Sequence, residues 1–205
     1  TIIEGWSENN FEIELTKYFK KSKKILYEEI IADTYFYEKN QDFQSFRLKL
    51  INIKNKYFNK FKNNEILKSY TIEEIITIGS LIEKEGFDNE DKRKISSVIF
   101  NRLNNNMKLQ IDASVIFAIT NGKYDLNRKL FLSDLKIDHP YNTYKYHGLP
   151  PNPISFVGRN TLDIIFENYK TDFLFYFFDN SLKRHIFSKN YDEHLKNLNE
   201  YRNKQ

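Results

Sequence analysis

Apolar side chains recur at helical spacing along most of this chain, which predicts a mostly helical protein. From residue 43 to 61 they follow a mixed three- and four-residue spacing that is typical of an amphipathic helix. Less sharply bounded helices are predicted from a Ser7 cap through Phe19, over residues 160–169, and in the polar stretch that closes the chain.

The best-marked helix is predicted over residues 72–85. Thr71 and Glu74 have the spacing of a capping box, in which each side chain binds the other's free backbone N–H, and Gly86 follows as a stop signal. A second helix is predicted from Asn89. A third is predicted from an Asp112 cap to residue 120.

The last third of the chain changes character. All four Pro and two of the six Gly lie between residues 140 and 158, which predicts an ordered loop. Two strands of a hairpin are then predicted at residues 173–178 and 184–188, joined by residues 179–183. The predicted fold class is therefore α+β, mostly helical, with a small hairpin near the C-terminus.

Composition and charge exclude several classes of function. The 205 residues suffice for one domain with a real core. The net charge of +4 includes a Lys-rich run at residues 20–24, for which a solvated surface is the favoured interpretation and attraction to an anionic envelope the alternative. No nucleic-acid partner is predicted. The chain has no Cys, and its four His lack the spacing of a helical metal site, so we expect neither a metal nor another cofactor.

Glu83 is the candidate acid that emerges from helical periodicity. It continues the apolar stripe of the helix over 72–85, with Gly79 one turn below, whereas Glu85 is rotated by about 200° toward the predicted solvent side. Burial raises the pKa of a carboxyl group, and a protonated acid is what glycoside cleavage requires. The alternative is a structural ion pair between Glu83 and a Lys or Arg of the second helix.

A second cluster of candidate residues combines amide, hydroxyl and aromatic side chains, which are groups that bind sugars. It comprises Gln110, Asp112, Tyr141, Asn142, Thr143 and Tyr144. Helix capping by Asp112 and core packing by the Tyr rings are the competing structural interpretations.

Seven motifs, in order along nearly the whole chain, resemble those of the YceG-like family of endolytic murein transglycosylases. They begin with Ile-Glu-Gly-Trp at residues 3–6 and Gly-Ser-Leu-Ile-Glu-Lys-Glu at 79–85. Val-Ile-Phe-Asn-Arg-Leu at 98–103 and Met-Lys-Leu-Gln-Ile-Asp at 107–112 follow. Tyr-Asn-Thr-Tyr at 141–144, Gly-Leu-Pro-Pro at 148–151 and His-Ile-Phe-Ser at 185–188 complete the pattern.

The resemblance implies a lytic transglycosylase that cuts the bond between N-acetylmuramic acid and N-acetylglucosamine within a glycan strand. The products would end in 1,6-anhydro-muramic acid, and Glu83 would be the catalytic acid. By motif position, the substrate-binding residues would be Gln110, Asp112, Tyr141, Asn142, Thr143, Gly148, Leu149, Pro150 and Pro151. A hydrolytic muramidase and a non-catalytic peptidoglycan-binding module are the alternatives.

The resemblance also implies an organisation and a location. Residues 1–24 would be the tail of a preceding LysM-like module, and residues 25–205 the catalytic domain with its motif core at 71–194. The protein would act in the cell envelope, at the outer face of the cytoplasmic membrane. Its single-pass anchor would lie in a segment absent from this chain, and peptidoglycan synthases would be possible partners.

Overall fold

A computed structural model describes residues 1–20 and 23–204 of the chain. Lys21 and Ser22, which belong to the Lys-rich run, lie outside the described residues. Across the described ranges, no helix has both the length and the apolar character needed to cross a membrane.

Eight α-helices, two short 3₁₀ helices (Tyr27–Glu29 and Asp134–Lys136) and one two-stranded sheet make up the regular structure of the described residues, which confirms the predicted α+β class. The helices are α1 (Glu8–Thr16), α2 (Phe43–Asn59), α3 (Glu65–Ser69), α4 (Ile72–Glu85), α5 (Asn89–Asn104), α6 (Asp112–Thr120), α7 (Arg159–Glu167) and α8 (Tyr191–Arg202). Strands β1 (Phe175–Asp179) and β2 (Arg184–Ser188) pair antiparallel, with Phe177 opposite Ile186.

The predicted boundaries of α4 are confirmed, and those of four other helices need correction. Thr71 and Glu74 form the complete capping box, and the Gly86 N–H binds the Ile82 carbonyl at the end of α4. Helix α1 ends at Thr16, before Phe19. Helices α2 and α7 end two residues earlier than predicted, at Asn59 and Glu167. Asp112 is the first residue of α6 and not its cap, because Ile111 occupies the cap position without a side-chain hydrogen bond.

The main core forms where α4, α5 and α7 pack together. Ile75, Ile78 and Ile82 of α4 are fully buried, and they share one apolar cluster with Ile95 of α5 and Leu162 of α7. Each such side chain contributes roughly 1.5–3 kcal/mol when it is removed from water. This three-helix core fixes the C-terminal end of α4, where the candidate acids lie.

Gly79 allows α4 to approach the segment that precedes α7. A Cβ atom at Gly79 would lie 2.7 Å from Cγ1 of Val157, so close that one of the two residues would have to shift. A core side chain, that of Val157, therefore occupies the space that Gly79 leaves open. The Val157 carbonyl also accepts a hydrogen bond from the Ala32 N–H, which ties the N-terminal third of the chain to the same segment.

The N-terminal segment packs against the core through a second apolar cluster. The Gly5 N–H binds the Phe156 carbonyl, and the Phe156 N–H binds the Trp6 carbonyl. The rings of Phe11 and Phe156 meet edge to face, with their centroids 5.2 Å apart. The assignment of residues 1–24 to a preceding module stays a prediction.

Candidate functional site

Glu83 is enclosed in a structural ion pair. Its carboxylate accepts a hydrogen bond from the Lys92 ammonium at 2.6 Å and another from the Gly158 N–H at 3.0 Å. The Lys92 ammonium also donates to the Thr161 hydroxyl at 2.9 Å. The Glu83 side chain is only 3% exposed. Both of its oxygens are therefore engaged in joining α4 to α5 and to the start of α7, as the structural alternative predicted.

Glu85 lies in a cavity of about 310 Å³, and the expectation that it faces solvent is wrong. The cavity opens at the end of α4, beside the start of α6 and the hairpin. Its lining comprises Glu85, Arg102, Leu109, Gln110, Asp112, Tyr144, Tyr176, Phe177, Phe178 and His185. Aromatic rings, an amide and two carboxyl groups converge on one concave surface, which suits recognition of a sugar.

The Glu85 carboxyl has a pKa raised to about 7. Desolvation by the surrounding protein is the main cause, and the negative charge of Asp112 adds to it. The His185 ring, the Ala113 backbone N–H and the Tyr176 hydroxyl act in the opposite direction. Near neutral pH this group is therefore divided between its acid and base forms, so it can both give and take a proton.

Two predicted binding residues, Gln110 and Asp112, do line the cavity with Glu85. Gln110 has a positive φ of 52°, and its side-chain oxygen accepts a hydrogen bond from Arg102 at 3.2 Å. Arg102 also binds the carbonyls of Leu109 and Leu174, so this buried cation holds the Gln110 turn against the hairpin. The Asp112 carboxylate accepts a hydrogen bond from the Tyr144 hydroxyl at 2.6 Å.

Three other predicted residues use their polar atoms or rings inside the protein. Asn142 is fully buried, and its amide binds the carbonyls of Leu135 and Ile137 at 3.0 and 2.9 Å. The Thr143 hydroxyl accepts the Ile111 N–H at 2.9 Å. The Tyr141 ring packs on Phe117 with centroids 4.6 Å apart. These residues shape the segment that carries Tyr144, and direct contact with substrate stays a prediction for them.

The predicted loop residues 148–151 do not line the Glu85 cavity. Gly148 has a positive φ of 82° and open space where a side chain would lie. Leu149 packs against the main core, Pro150 is buried and Pro151 is exposed. Their role in substrate binding stays a prediction.

His185 and Asp91 are site residues that periodicity and composition missed. The His185 Nδ1 lies 2.8 Å from Asp91, and their side chains are 6% and 10% exposed. The His185 ring meets the Tyr176 ring edge to face at 5.2 Å, and the Tyr176 hydroxyl donates to Glu85 at 3.4 Å. Asp91 thereby orients the imidazole at the wall of the cavity. The motif containing His185 was visible in the sequence, but its distance of about 100 residues from Glu85 concealed their proximity.

Comparison with known proteins agrees with this architecture. A model of the YceG-like family matches residues 1–200. The chain belongs to the YceG-like family. Its structure resembles the crystal structure of a YceG-like protein of Listeria monocytogenes with a TM-score of 0.76 and 25% identity, covering 95% of this chain and 74% of that one.

Relatives of this YceG-like chain include two proteins named endolytic murein transglycosylase. That of Bacillus subtilis (strain 168) is 37% identical over 147 residues, which are 72% of this chain and 39% of the relative. That of Streptococcus pneumoniae (strain D39) is 34% identical over 139 residues, which are 66% of this chain and 25% of the relative. The chain thus matches well under half of the length of either relative.

Proposed function

We propose that this chain is the catalytic part of an endolytic murein transglycosylase, and that Glu85 is its catalytic acid instead of Glu83. The observation that carries the proposal is the Glu85 carboxyl itself. It is desolvated, has a pKa of about 7 and faces a cavity that it shares with Gln110 and Asp112. Two similar proteins named for this activity support the choice of substrate.

Glu83 is poorly suited to the same task. An acid must present a proton to the bridging oxygen between two sugars, so it needs an open approach. Both oxygens of Glu83 instead bind internal donors, Lys92 and Gly158. The Glu83 side chain is also only 3% exposed, so a sugar has little access to its carboxylate.

The reaction would use Glu85 twice. Protonated Glu85 gives its proton to the bridging oxygen as the bond from C1 of N-acetylmuramic acid to that oxygen breaks. The resulting carboxylate then takes the proton of the C6 hydroxyl of the same sugar while that oxygen bonds to C1. The products are a free 4-hydroxyl on one strand and a 1,6-anhydro end on the other. Water is not consumed, and the proposed steps need no cofactor.

The other cavity residues have supporting roles in this proposal. The Asp112 charge helps to keep Glu85 protonated, and Tyr144 holds Asp112 in place. Gln110, fixed by Arg102, offers an amide to the sugar hydroxyls. The aromatic side chains of β1 give apolar faces on which sugar rings can stack.

A digest of purified peptidoglycan, read by mass spectrometry, tests the proposal. The native chain should release muropeptides with 1,6-anhydro ends, and Glu85→Gln should release on the order of 10²–10⁴-fold less. Reducing ends would identify a hydrolytic muramidase. Binding without any cleavage by the native chain would identify a binding module.

A test of Glu83 needs a control that separates folding from chemistry, because removal of the Glu83 charge leaves the Lys92 ammonium without its partner. The double variant Glu83→Gln with Lys92→Met removes both charges of the pair. We expect it to fold and to retain lytic activity. Loss of activity in this folded double variant, with activity kept in Glu85→Gln, would assign the acid to Glu83.

Family membership also motivates three proposals about the whole protein. It would act in the cell envelope at the outer face of the cytoplasmic membrane. A single-pass anchor would lie outside this chain, and peptidoglycan synthases would be its partners. Fractionation of cells that express the full-length protein, followed by crosslinking, tests the three together.

A further inference from the structure

A second cavity, of about 170 Å³, is lined by residues that neighbour those of the Glu85 cavity along α4 and α6. Two helices each contribute consecutive residues, one to the lining of each cavity. On α4, Lys84 lines the second cavity and Glu85 the first, and on α6, Ala113 lines the second and Asp112 the first. A strand bound at Glu85 therefore has the second cavity within reach across the first turn of α6.

Polar groups dominate the wall of this second cavity. Asn10 from the start of α1 and Thr120 from the end of α6 line it, and Lys123 and Asp125 follow on the loop after α6. Together with Lys84, the lining holds two positive charges and one negative charge. The excess positive charge favours an anionic ligand.

Lys84 is a cation of this cavity that has no hydrogen-bonded acidic partner among the described residues. The residue is exposed at the mouth of the cavity, yet the surrounding protein desolvates its ammonium and lowers its pKa. Asp125 acts on it through charge alone, without a hydrogen bond. By contrast, Lys92 of α5 is bound by Glu83. A partly desolvated ammonium gains most from a carboxylate that can accept its N–H groups.

We infer that the second cavity is a subsite for a carboxylate of the murein strand, bound by Lys84 while Glu85 acts on the adjacent glycosidic bond. This inference rests on the proposed function. A glycan strand offers such a carboxylate in two places. One is the lactyl group of N-acetylmuramic acid where the stem peptide has been removed, and the other is the stem peptide itself.

Binding to a chain that cannot cut tests the subsite. In the Glu85→Gln background, dissociation constants are measured for three oligosaccharides of equal length. The first is a chitin oligomer without carboxylates, the second a peptide-free murein oligomer, and the third a murein oligomer with stem peptides. Adding Lys84→Met should raise the dissociation constants of both murein oligomers by about tenfold and leave that of the chitin oligomer unchanged.

The pattern among the ligands identifies the source of the carboxylate. Weakening of the peptide-free oligomer points to the lactyl group, and weakening of the peptide-bearing oligomer alone points to the stem. Lys84→Arg should retain most of the affinity because it keeps the charge. Lys68→Met, a surface lysine paired with Glu65 on α3, is the matched control and should change none of the three constants.

Two results would overturn the inference. They are equal weakening of all three oligomers by Lys84→Met, and unchanged binding of both murein oligomers. If the Glu85→Gln chain with Lys84 intact binds none of the oligomers, the proposed function fails and the subsite fails with it. In the enzyme with Glu85 intact, Lys84→Met should raise KM for murein and leave kcat nearly unchanged.

Discussion

The Glu83 carboxylate lies 2.6 Å from the Lys92 ammonium, and the two side chains are 3% and 15% exposed. This pair ties the end of α4 to α5, and through Gly158 and Thr161 it reaches the start of α7. A buried pair contributes little net stability compared with apolar residues, but the loss of one partner is costly. The two acids at the end of α4 therefore have separable consequences when they are replaced.

The first prediction concerns stability. Glu83→Ala leaves the Lys92 charge buried without its partner, so the free energy of unfolding should fall by about 3–5 kcal/mol. Urea denaturation followed by circular dichroism measures the loss. The control is Glu90→Ala, which removes an exposed pair with Lys94 and should cost no more than about 1 kcal/mol. Similar losses in both variants would contradict a structural role for the Glu83 pair.

The second prediction concerns the pH dependence of stability. The pKa of Glu85 is about 7 in the folded chain and 4.5 as its ordinary value. Its folded pKa is the higher one, so its contribution to stability is complete below pH 4.5 and is lost as pH rises through 7. The difference amounts to roughly 3 kcal/mol.

Glu85→Gln should remove that loss, because an amide does not ionise. Relative to the native chain, the variant should gain on the order of 3 kcal/mol between pH 4.5 and 8. Urea midpoints across this range measure the gain. A constant difference between the two chains over the whole range would mean that the Glu85 carboxyl does not titrate near 7.

The third prediction concerns activity. If Glu85 is the acid, kcat/KM should fall as pH rises through about 7, since the free enzyme must carry the proton. Asp112→Asn removes a charge that raises the pKa of Glu85. The alkaline limb of the pH profile of kcat/KM should therefore move to lower pH. His185→Gln removes a group that lowers this pKa, and the limb should move to higher pH.

Lytic rates on soluble peptidoglycan, measured from pH 5 to 9, test both shifts. Opposite displacements of one limb are the distinctive outcome, because damage to the fold alone would reduce the rate without displacing the profile. If the alkaline limbs of both variants moved in the same direction, the stated effects of Asp112 and His185 on the pKa of Glu85 would be contradicted.

The fourth prediction concerns packing under the site. Gly79→Ala places a Cβ atom 2.7 Å from Val157, and such overpacking should cost about 1–3 kcal/mol despite the better helix propensity of Ala. In a Val157→Ala background the clash is absent, and Gly79→Ala should then stabilise by up to about 1 kcal/mol. A double-mutant cycle measures the coupling, and additive effects would show that Val157 does not require the glycine.

Local signals in the sequence determined most of the secondary structure. The Thr71–Glu74 capping box and the Gly86 stop gave α4 its two ends, because capping depends on side chains within a few residues. The hairpin and its longer loop followed from β-prone runs around residues 179–183. The ordered motifs also carried the family resemblance, which the match over residues 1–200 supports.

Only the tertiary structure decided which carboxyl at the end of α4 faces a cavity. Periodicity distinguishes the faces of a helix, but it does not say which distant segments cover them. Lys92 and Gly158 enclose Glu83, whereas α6 and the hairpin close around Glu85. The pKa of a carboxyl depends on this three-dimensional surrounding of charge and solvent, and residues about 100 positions apart supply it here.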